Sequence, residues 1–337
     1  MFEEYAGHSI AVYGGYINNN KELLQCASGG IATALAKSMI SQGGNVAGVS
    51  YTKDFKSVEY IIIKDIKDID LLKGSKYVEA DKNNIYKDAK KLLDEGEKLL
   101  FFGLPCIIGA LKSFLGKEYK NLVTCELICH GPVSAKVHTQ YVEWLESKYN
   151  SRITKFSVRH KKDKWMPSYL YAEFENGSVF QKEFFSTEYG YAFKLMGRTS
   201  CYNCHFKGNN RVGDIMIGDF WGATKKDPFW NEKGTSVIFV HTEKGKSFLN
   251  NTSDLKLYET TFEKAVKNNH MVIESKKLNP KRKKFEKLFL EQGLFYAAKE
   301  CSYRRYKVLR SIGKYTPKFV KPLGKKVYNR LKKIINI

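Results

Sequence analysis

The sequence predicts an α/β fold: a mixed sheet flanked by helices, with an inserted antiparallel hairpin region and a basic helical C-terminal tail. Three observations lead to this prediction. Strand-like apolar runs alternate with helical patterns over residues 10–149, which is the rhythm of an α/β protein. Strand-like runs then follow one another directly over residues 155–183. Finally, Lys and Arg dominate the charged residues of 276–337.

The first half of the chain supplies most of the alternation. We expect strands at residues 10–13, 46–51, 58–64, 98–102 and 122–128, where apolar and β-branched residues are concentrated. We expect helices at residues 28–41, 84–95, 107–115 and 134–149, because apolar residues recur there at helical spacing. These elements form the predicted α/β body.

The second half adds the hairpin region. Antiparallel strands are expected at residues 155–159, 169–175 and 179–183, and Asn176-Gly177 joins the last two. Asn-Gly between alternating runs is a strong hairpin signal. Further strands at 214–218 and 236–241 and helices at 244–250 and 262–268 complete the predicted body.

Charge is unevenly distributed along the chain. The formal net charge is +22 over 337 residues, and residues 276–337 alone hold 20 Lys and Arg against 3 Glu. Basicity therefore belongs to the tail rather than to the body. Because no known nucleic-acid module accompanies this charge, we expect no nucleic-acid partner.

Targeting signals are not apparent in the sequence. Residues 1–5 are acidic and lack a signal-like apolar run, and the apolar stretch 99–111 is interrupted by Gly103 and Pro105. We therefore expect a cytoplasmic protein without a transmembrane helix. The cationic and apolar helix predicted near residues 327–335 raises the hypothesis of peripheral binding to an anionic membrane on its inner face. A solvated helix docked on the body is the alternative.

Cys201 and Cys204 form a Cys-x-x-Cys pair that can place two thiolates on one metal or cluster. A redox dithiol and a plain loop are the alternatives. Cys106 and Cys129 each follow an apolar run, so both could reach the crevice beyond the strand ends. Four thiols would complete a [4Fe-4S] site, although ordinary buried thiols and a zinc site remain open. Cys125 is expected to pack in the core. Cys301 lies in the basic tail and is expected to have no partner nearby for a metal or redox site.

Two glycine-containing segments are candidate cofactor contacts. Ser28 suits a helix N-cap, and Gly29 and Gly30 would let a phosphate approach the helix N-terminus. A plain capped helix is the alternative. Gly74 is followed by Ser75, Lys76 and Tyr77, a hydroxyl, a cation and a ring that could meet a diphosphate and a flat ring system; an ordinary surface turn is the alternative.

Candidate substrate contacts lie further along the chain. Arg159 and Lys161 precede Trp165, and cations beside an aromatic ring suit an anionic or planar ligand. Asp219 and Trp221 could orient the same site. A solvated strand end and turn or cap residues are the structural alternatives.

Several of these motifs, in this order, resemble the beta-subunit family of coenzyme F-420 hydrogenases and dehydrogenases over residues 5–245. They are Ser28-Gly29-Gly30, Gly74-Ser75-Lys76-Tyr77, Gly103-Leu104-Pro105-Cys106, Cys129-His130-Gly131, Arg159 with Lys161 and Trp165, Cys201-x-x-Cys204 and residues 214–222. The resemblance implies an oxidoreductase with FAD and a [4Fe-4S] cluster. It implies Cys106, Cys129, Cys201 and Cys204 as cluster ligands, and Ser28, Gly29, Gly30, Ser75, Lys76 and Tyr77 as flavin contacts.

The resemblance also implies an N-terminal flavin-binding-type region at residues 1–80 and a C-terminal catalytic and cluster-binding region at 81–275. The charge distribution adds the basic tail at 276–337 as a third region. The chain is similar to short members that lack a ferredoxin-like module and occur among polysaccharide biosynthesis genes. An external donor, either a ferredoxin-like protein or a reduced deazaflavin, is then expected.

Three positions depart from the family pattern. Leu104 and Ile107 replace polar residues, and Cys26 stands where a serine is common. Each change removes a hydrogen-bonding group that could hold a flavin. Two alternatives to a flavin enzyme therefore stay open: a non-catalytic cluster-binding adaptor that has lost the flavin, and a zinc-stabilised binding protein.

Overall fold

A mixed eight-stranded sheet and a three-stranded antiparallel sheet organise the protein, as the computed structural model describes for residues 9–301, 303 and 306–308. In chain order the strands are β1 (Ala11–Ile17), β2 (Asn45–Tyr51), β3 (Val58–Ile63), β4 (Leu99–Gly103), β5 (Leu122–Leu127), β6 (Ile153–His160), β7 (Tyr169–Phe174), β8 (Val179–Glu183), β9 (Ile215–Asp219), β10 (Ser236–Val240) and β11 (Leu255–Glu259). The large sheet has the order β11-β1-β10-β9-β5-β4-β2-β3, and β6, β7 and β8 form the small one. The predicted α/β fold with a hairpin insertion is therefore confirmed.

Helices cover both faces of the large sheet and pack against the small one. They are α1 (Asn20–Gln25), α2 (Ile31–Ser41), α3 (Ile69–Leu72), α4 (Ile85–Asp94), α5 (Pro105–Leu115), α6 (Ala135–Tyr149), α7 (Glu188–Leu195), α8 (Glu243–Asn250), α9 (Phe262–Val266), α10 (Arg282–Gln292) and α11 (Leu294–Glu300). Short 3-10 turns lie at Ile66–Asp68, Phe184–Ser186, Thr199–Asn203 and His270–Val272.

The centre of the large sheet is parallel. Strands β2, β4, β5 and β9 pair in parallel, and the remaining strands pair antiparallel. One face packs against α2 and α8, and the other against α4 and α5. All five residues of β4 are buried because both faces are covered. The carboxyl ends of β4, β5 and β9 consequently meet at one edge of the sheet.

The hairpin forms where Asn176-Gly177 predicted it. The Phe174 N–H donates to the Ser178 carbonyl at 3.0 Å, and Gly177 takes a φ of +81°. This positive φ is strained for any residue with a side chain, which explains the glycine. The small sheet packs with α6, α7, α10 and α11 around a second core, rich in aromatic residues.

The predicted helical structure of the tail is confirmed for Arg282–Gln292 and Leu294–Glu300. Helices α10 and α11 bury Phe285 and Phe289 in the core of the small sheet. Cys301 is a free cysteine, as expected, and it is buried; its carbonyl accepts a hydrogen bond from the Tyr191 hydroxyl at 2.5 Å. The helix predicted near residues 327–335, and with it the membrane hypothesis, lies outside the described residues. Among the helices described, none has the length and apolar character needed to cross a bilayer.

Two helix starts differ from the prediction. Helix α2 begins at Ile31 rather than at Ser28, because Gly30 takes the N-cap position with a φ of +80°. The Ser28 hydroxyl instead donates to the Thr235 carbonyl at 2.9 Å, so its predicted capping role is wrong. Helix α5 begins at Pro105, since proline suits the first helical position. Cys106 therefore lies in the first turn of a helix and not in a loop.

The sequence did not predict several short elements, and the large sheet contains strands from two of the predicted regions. Strand β11 and helices α1 and α7 were not predicted, since each has only five to eight residues and gives a weak periodic signal. Cys125 is fully buried in β5, as expected. Strands from residues 1–80 and from 81–275 share the large sheet, and the boundaries of the two regions remain a prediction.

Candidate functional site

A cavity of about 640 Å³ opens at the sheet edge where β4, β5 and β9 end. It extends from the first turn of α2 to the residues that follow β5. Its walls come from the segments around residues 26–33, 72–82, 102–107, 127–132 and 217–221. In open α/β sheets the ligand crevice lies beyond the carboxyl ends of the strands. This cavity is therefore the candidate binding site.

The loop before α2 contributes Ser28 and Gly30 to the cavity wall, whereas Gly29 lies behind it. The Gly29 N–H donates to the Ser236 hydroxyl at 2.9 Å, and a Cβ at Gly29 would lie 2.4 Å from the Gly15 carbonyl oxygen. The close approach of this loop to β1 and β10 therefore requires a glycine at position 29. Flavin contact by these residues remains a prediction.

The segment with Ser75, Lys76 and Tyr77 forms another part of the wall. The Lys76 ammonium donates to the carbonyls of Leu71 at 3.0 Å and Lys73 at 2.9 Å. Burial lowers the pKa of Lys76 to about 7. The segment thus lines the cavity with a hydroxyl, an amine and a ring, while the amine is bound to its own loop.

Arg159 joins three walls of the cavity. Its guanidinium forms a bidentate ion pair with Asp219 at 2.8 and 3.1 Å, and also donates to the Tyr77 hydroxyl at 3.1 Å and the Ala27 carbonyl at 2.8 Å. Within the described part of the chain, the Nε group has no hydrogen-bond partner. Because the other four N–H groups are occupied, the predicted substrate contact of Arg159 would have to involve Nε.

Lys161 and Trp165 lie outside the residues that line the cavity. The buried Lys161 ammonium donates to the Ser28 carbonyl at 2.7 Å, and burial lowers its pKa to about 7. The Trp165 indole N–H donates to Asp219 at 3.0 Å, and its ring stacks on Trp221 with centroids 5.1 Å apart. Asp219 and Trp221 do line the cavity, so Lys161 and Trp165 support the wall from behind.

The three departures from the family pattern are all at the cavity wall. Cys26, Leu104 and Ile107 line it. The Cys26 sulfur is within hydrogen-bonding distance, 3.4 Å, of the Thr33 hydroxyl. His130 also lines the cavity and is exposed there. Its position next to Cys129 was the available sequence signal.

The four predicted cluster ligands come from three separate parts of the fold. Cys106 lies in the first turn of α5, and Cys129 follows the end of β5. Cys201 belongs to the 3-10 turn Thr199–Asn203, and Cys204 comes directly after it. All four are partly exposed, whereas Cys26, Cys125 and Cys301 are buried.

These four thiols lie in one neighbourhood. The Gly131 N–H donates to Cys129 Sγ at 3.2 Å, and a Cβ on Gly131 would lie 3.1 Å from Cys201 Sγ. Burial raises the pKa of Cys129 to about 11, with Cys106 and Cys201 adding to the shift. Burial also raises the pKa of Cys106, and Cys204 and Cys201 add to it. In the described ranges no three His, Cys, Asp or Glu side chains are arranged to hold a single metal ion. The ligand set remains a prediction.

Two arginines near the thiols are paired with carboxylates. Arg198 Nη2 lies 3.9 Å from Cys106 Sγ, and Nη1 lies 2.5 Å from Glu79. Arg211 lies 3.5 Å from the fully buried Glu126. The sequence signal for the second pair was Glu126 itself, because a carboxylate within an apolar strand requires a buried partner.

Two lysines near the thiols are bound to backbone carbonyls. The Lys207 ammonium donates to the carbonyl of Cys129 at 2.9 Å. The Lys276 backbone N–H donates to the Cys201 carbonyl at 3.3 Å, and its ammonium donates to the Phe193 carbonyl at 2.8 Å. Sequence reasoning missed both residues, since nothing in a lysine-rich chain distinguishes them before the fold brings them to the cysteines.

Two comparisons with known proteins bear on the fold and the family of this chain. A solved chain from the xenon-derivatized F420-reducing [NiFe] hydrogenase complex of Methanosarcina barkeri matches with a TM-score of 0.52 and 18% identity, covering 89% of this chain and 94% of that chain. At this identity the match shows the fold alone. No curated protein sequence matches significantly. The family model for the C terminus of the coenzyme F420 hydrogenase/dehydrogenase beta subunit matches residues 96–265, half of the chain. The chain therefore belongs to the coenzyme F420 hydrogenase/dehydrogenase beta-subunit family through this C-terminal domain.

Proposed function

We propose that the protein is an iron-sulfur flavoprotein oxidoreductase that passes electrons or hydride between an external donor and a substrate. The observation that carries this proposal is one cavity that extends from the first turn of α2 to Cys129, next to three further thiols. A flavin site beside a cluster site is the arrangement that such electron transfer needs. Family membership supports the same redox role.

The cysteine neighbourhood suits a [4Fe-4S] cluster in its donor chemistry. Iron-sulfur clusters are held by cysteine thiolates, and Cys106, Cys129, Cys201 and Cys204 would supply four. Arg198, together with three other cations nearby, can offset the negative charge of thiolates. We therefore assign these four residues as the ligands in the proposal.

The cavity suits FAD in its combination of surfaces. Ser28 and Ser75 supply hydroxyls, and Lys76 supplies an amine. Leu104 and Ile107 supply apolar surface for a flat ring. Gly29, Gly30 and Tyr77 complete the proposed contacts, Gly29 through backbone packing. When bound, a flavin exchanges two electrons as hydride with a substrate and single electrons with a cluster.

The remaining roles follow from the hydrogen bonds. Arg159 holds Tyr77 and Asp219 in place, and its Nε, which has no partner among the described residues, is the group we assign to a substrate contact; Trp221 offers a ring beside the guanidinium. The proposed external donor is a ferredoxin-like protein or a reduced deazaflavin. We place the reaction in the cytoplasm and in cell-surface polysaccharide biosynthesis, on the resemblance to short family members.

Anaerobic purification followed by optical spectroscopy and analysis of iron, sulfide and flavin tests the proposal. We expect a brown protein that bleaches with dithionite and contains about four iron atoms per chain. Cys201→Ala and Cys106→Ala should lose the colour. Cys301→Ala, which removes a buried thiol whose charged neighbours are Lys281, Lys284 and Glu300, should keep it.

This experiment tests the cluster assignment and the FAD assignment independently of each other. A colourless protein with stoichiometric zinc would refute the cluster and support the zinc-stabilised alternative. A brown protein that neither contains FAD nor binds it in calorimetry would leave the non-catalytic cluster-binding adaptor as the function.

A further inference from the structure

Lys207 and Lys276 lie beside the cysteines without any carboxylate partner among the residues that the structure describes. Their ammonium groups donate to backbone carbonyls, those of Cys129 and Met271 for Lys207, and those of Phe193 and Met196 for Lys276. A carbonyl satisfies hydrogen bonds but carries no net charge, so each positive charge remains uncompensated.

An uncompensated, partly buried ammonium is unfavourable unless an anion lies close to it. The nearby groups that can carry negative charge are cysteine sulfurs, those of Cys129, Cys201 and Cys204 for Lys207 and those of Cys201 and Cys129 for Lys276. The two lysines are therefore placed where a negatively charged group held by the four cysteines would compensate them.

The neighbouring arginines differ in this respect. Arg198 is paired with Glu79 at 2.5 Å, and Arg211 lies 3.5 Å from Glu126. Each of these ion pairs has no net charge, which weakens its field at the thiols. Among the described residues, Lys207 and Lys276 are then the cations near Cys129 and Cys201 that have no carboxylate partner, whereas Cys106 faces the paired Arg198.

We propose that Lys207 and Lys276 set the reduction potential of the redox group held by the four cysteines, by placing two positive charges beside it. The inference rests on the proposed function, since it requires a [4Fe-4S] cluster at these ligands. Each reduction adds one electron from the external donor to the cluster, and no bond is formed or broken at the lysines. Positive charges nearby stabilise the more negative, reduced state, so they raise the potential.

Lys276 and Lys277 form a matched pair for testing the effect of charge. Lys276 is turned inward onto backbone carbonyls, whereas the side chain of Lys277 is 91% exposed and lies 4.0 Å from Glu274. Both belong to the same segment, so a change at either alters the formal charge of that segment equally. A charge at Lys277 is screened by solvent and salt, and it should have little influence on the cluster.

The experiment is a potentiometric titration of the purified holoprotein, followed by electron paramagnetic resonance of the reduced cluster. We expect Lys207→Met and Lys276→Met to shift the midpoint potential to more negative values, and the double variant to shift it further. Lys277→Met and the charge-conserving Lys276→Arg should stay close to the wild-type potential.

The possible outcomes separate the inference from the proposed function. An unchanged potential in the double variant, or an equal shift in Lys277→Met, overturns the inference alone. A wild-type protein that takes up no cluster overturns the proposed function and this inference together. If the Met variants lose the cluster, Lys207→Gln and Lys276→Gln are titrated instead, because Gln keeps a donor for the carbonyls without the charge, and the same criteria apply.

Discussion

At the scale of single residues, buried charges hold the cavity together. Arg159 and Asp219 form an ion pair in which the side chains are 4% and 18% exposed. The same arginine fixes the Tyr77 hydroxyl and the Ala27 carbonyl. A sequence motif that suggested a substrate contact thus corresponds to a side chain that mainly orders the site.

Removal of Arg159 should be strongly destabilising. We expect Arg159→Met to lower the free energy of unfolding by about 3–5 kcal/mol, because the partly buried Asp219 would lose its ion-pair partner and Tyr77 and Ala27 would lose a shared hydrogen-bond donor. Adding Asp219→Asn to that variant should cause much less further loss than Asp219→Asn causes in the wild type. Urea denaturation of the double-mutant cycle measures this coupling.

The control for Arg159 is Lys155 of the same strand, which forms an exposed ion pair with Glu173 of β7. Lys155 and Glu173 lie 3.2 Å apart, with side chains 61% and 38% exposed. Exposed pairs contribute about 0–1 kcal/mol, so Lys155→Met should leave the unfolding curve almost unchanged. Equal losses for Arg159→Met and Lys155→Met would contradict the structural role of Arg159.

His138 should make stability depend on pH in the acid range. Its Nε2 lies 2.7 Å from the Phe55 carbonyl and its Nδ1 lies 3.3 Å from the Tyr189 hydroxyl. Burial lowers the pKa of His138 to about 4, while the Phe55 carbonyl and Asp54 oppose the shift. Because the unfolded chain binds this proton near pH 6.5, stability is lost as the pH falls from about 6.5 towards 4.

We therefore expect the wild type to lose about 2 kcal/mol more between pH 7.5 and pH 5 than His138→Gln does. Gln keeps a donor for the Phe55 carbonyl but cannot take up the proton. Urea denaturation at the two pH values checks this difference. Parallel losses in both proteins would show that His138 is not held neutral in the folded state.

At the scale of secondary-structure elements, part of the basic tail belongs to the folded body. Helix α10 carries many cations, yet Phe285 and Phe289 are 0% and 2% exposed and pack with the small sheet. Its outer face carries Leu290, which is 63% exposed. The helix is therefore amphipathic, and its charge alone does not describe its role.

Adjacent substitutions in α10 should differ strongly in their effect. Phe289→Ala should lower the free energy of unfolding by about 3–5 kcal/mol, because it leaves a cavity in the aromatic core. Leu290→Ala should change it by less than about 0.5 kcal/mol, since this side chain faces solvent. Chemical denaturation of both variants tests the docking of the helix. Similar small effects would mean that α10 is not packed on the body in solution.

At the scale of the whole molecule, the sheet and the cysteine segment differ in how they are stabilised. Strands β4 and β5 lie in the buried core, whereas none of residues 198–212 is buried. Segments with few buried contacts open readily. Residues 198–212 should then adopt a single ordered conformation only when Cys201 and Cys204 hold their metal group.

Removal of iron should therefore loosen this segment and spare the sheet. We expect hydrogen-deuterium exchange of residues 198–212 to accelerate at least tenfold after anaerobic chelation, with little change in β4 and β5. Comparison of holo and apo protein by mass spectrometry measures both regions at once. Uniform acceleration over the whole chain would show instead that the metal supports global folding.

The sequence by itself determined the α/β class, the hairpin at Asn176-Gly177 and the candidate ligands Cys201 and Cys204. These features depend on local periodicity, turn chemistry and spacing, which neighbouring residues encode directly. Tertiary structure alone decided that Gly29 supports packing, that Arg159 is occupied by Asp219, and that Lys207 and Lys276 reach the thiols. Such contacts join residues that are far apart in the chain, and their burial and charge arise only when the sheet and its loops assemble.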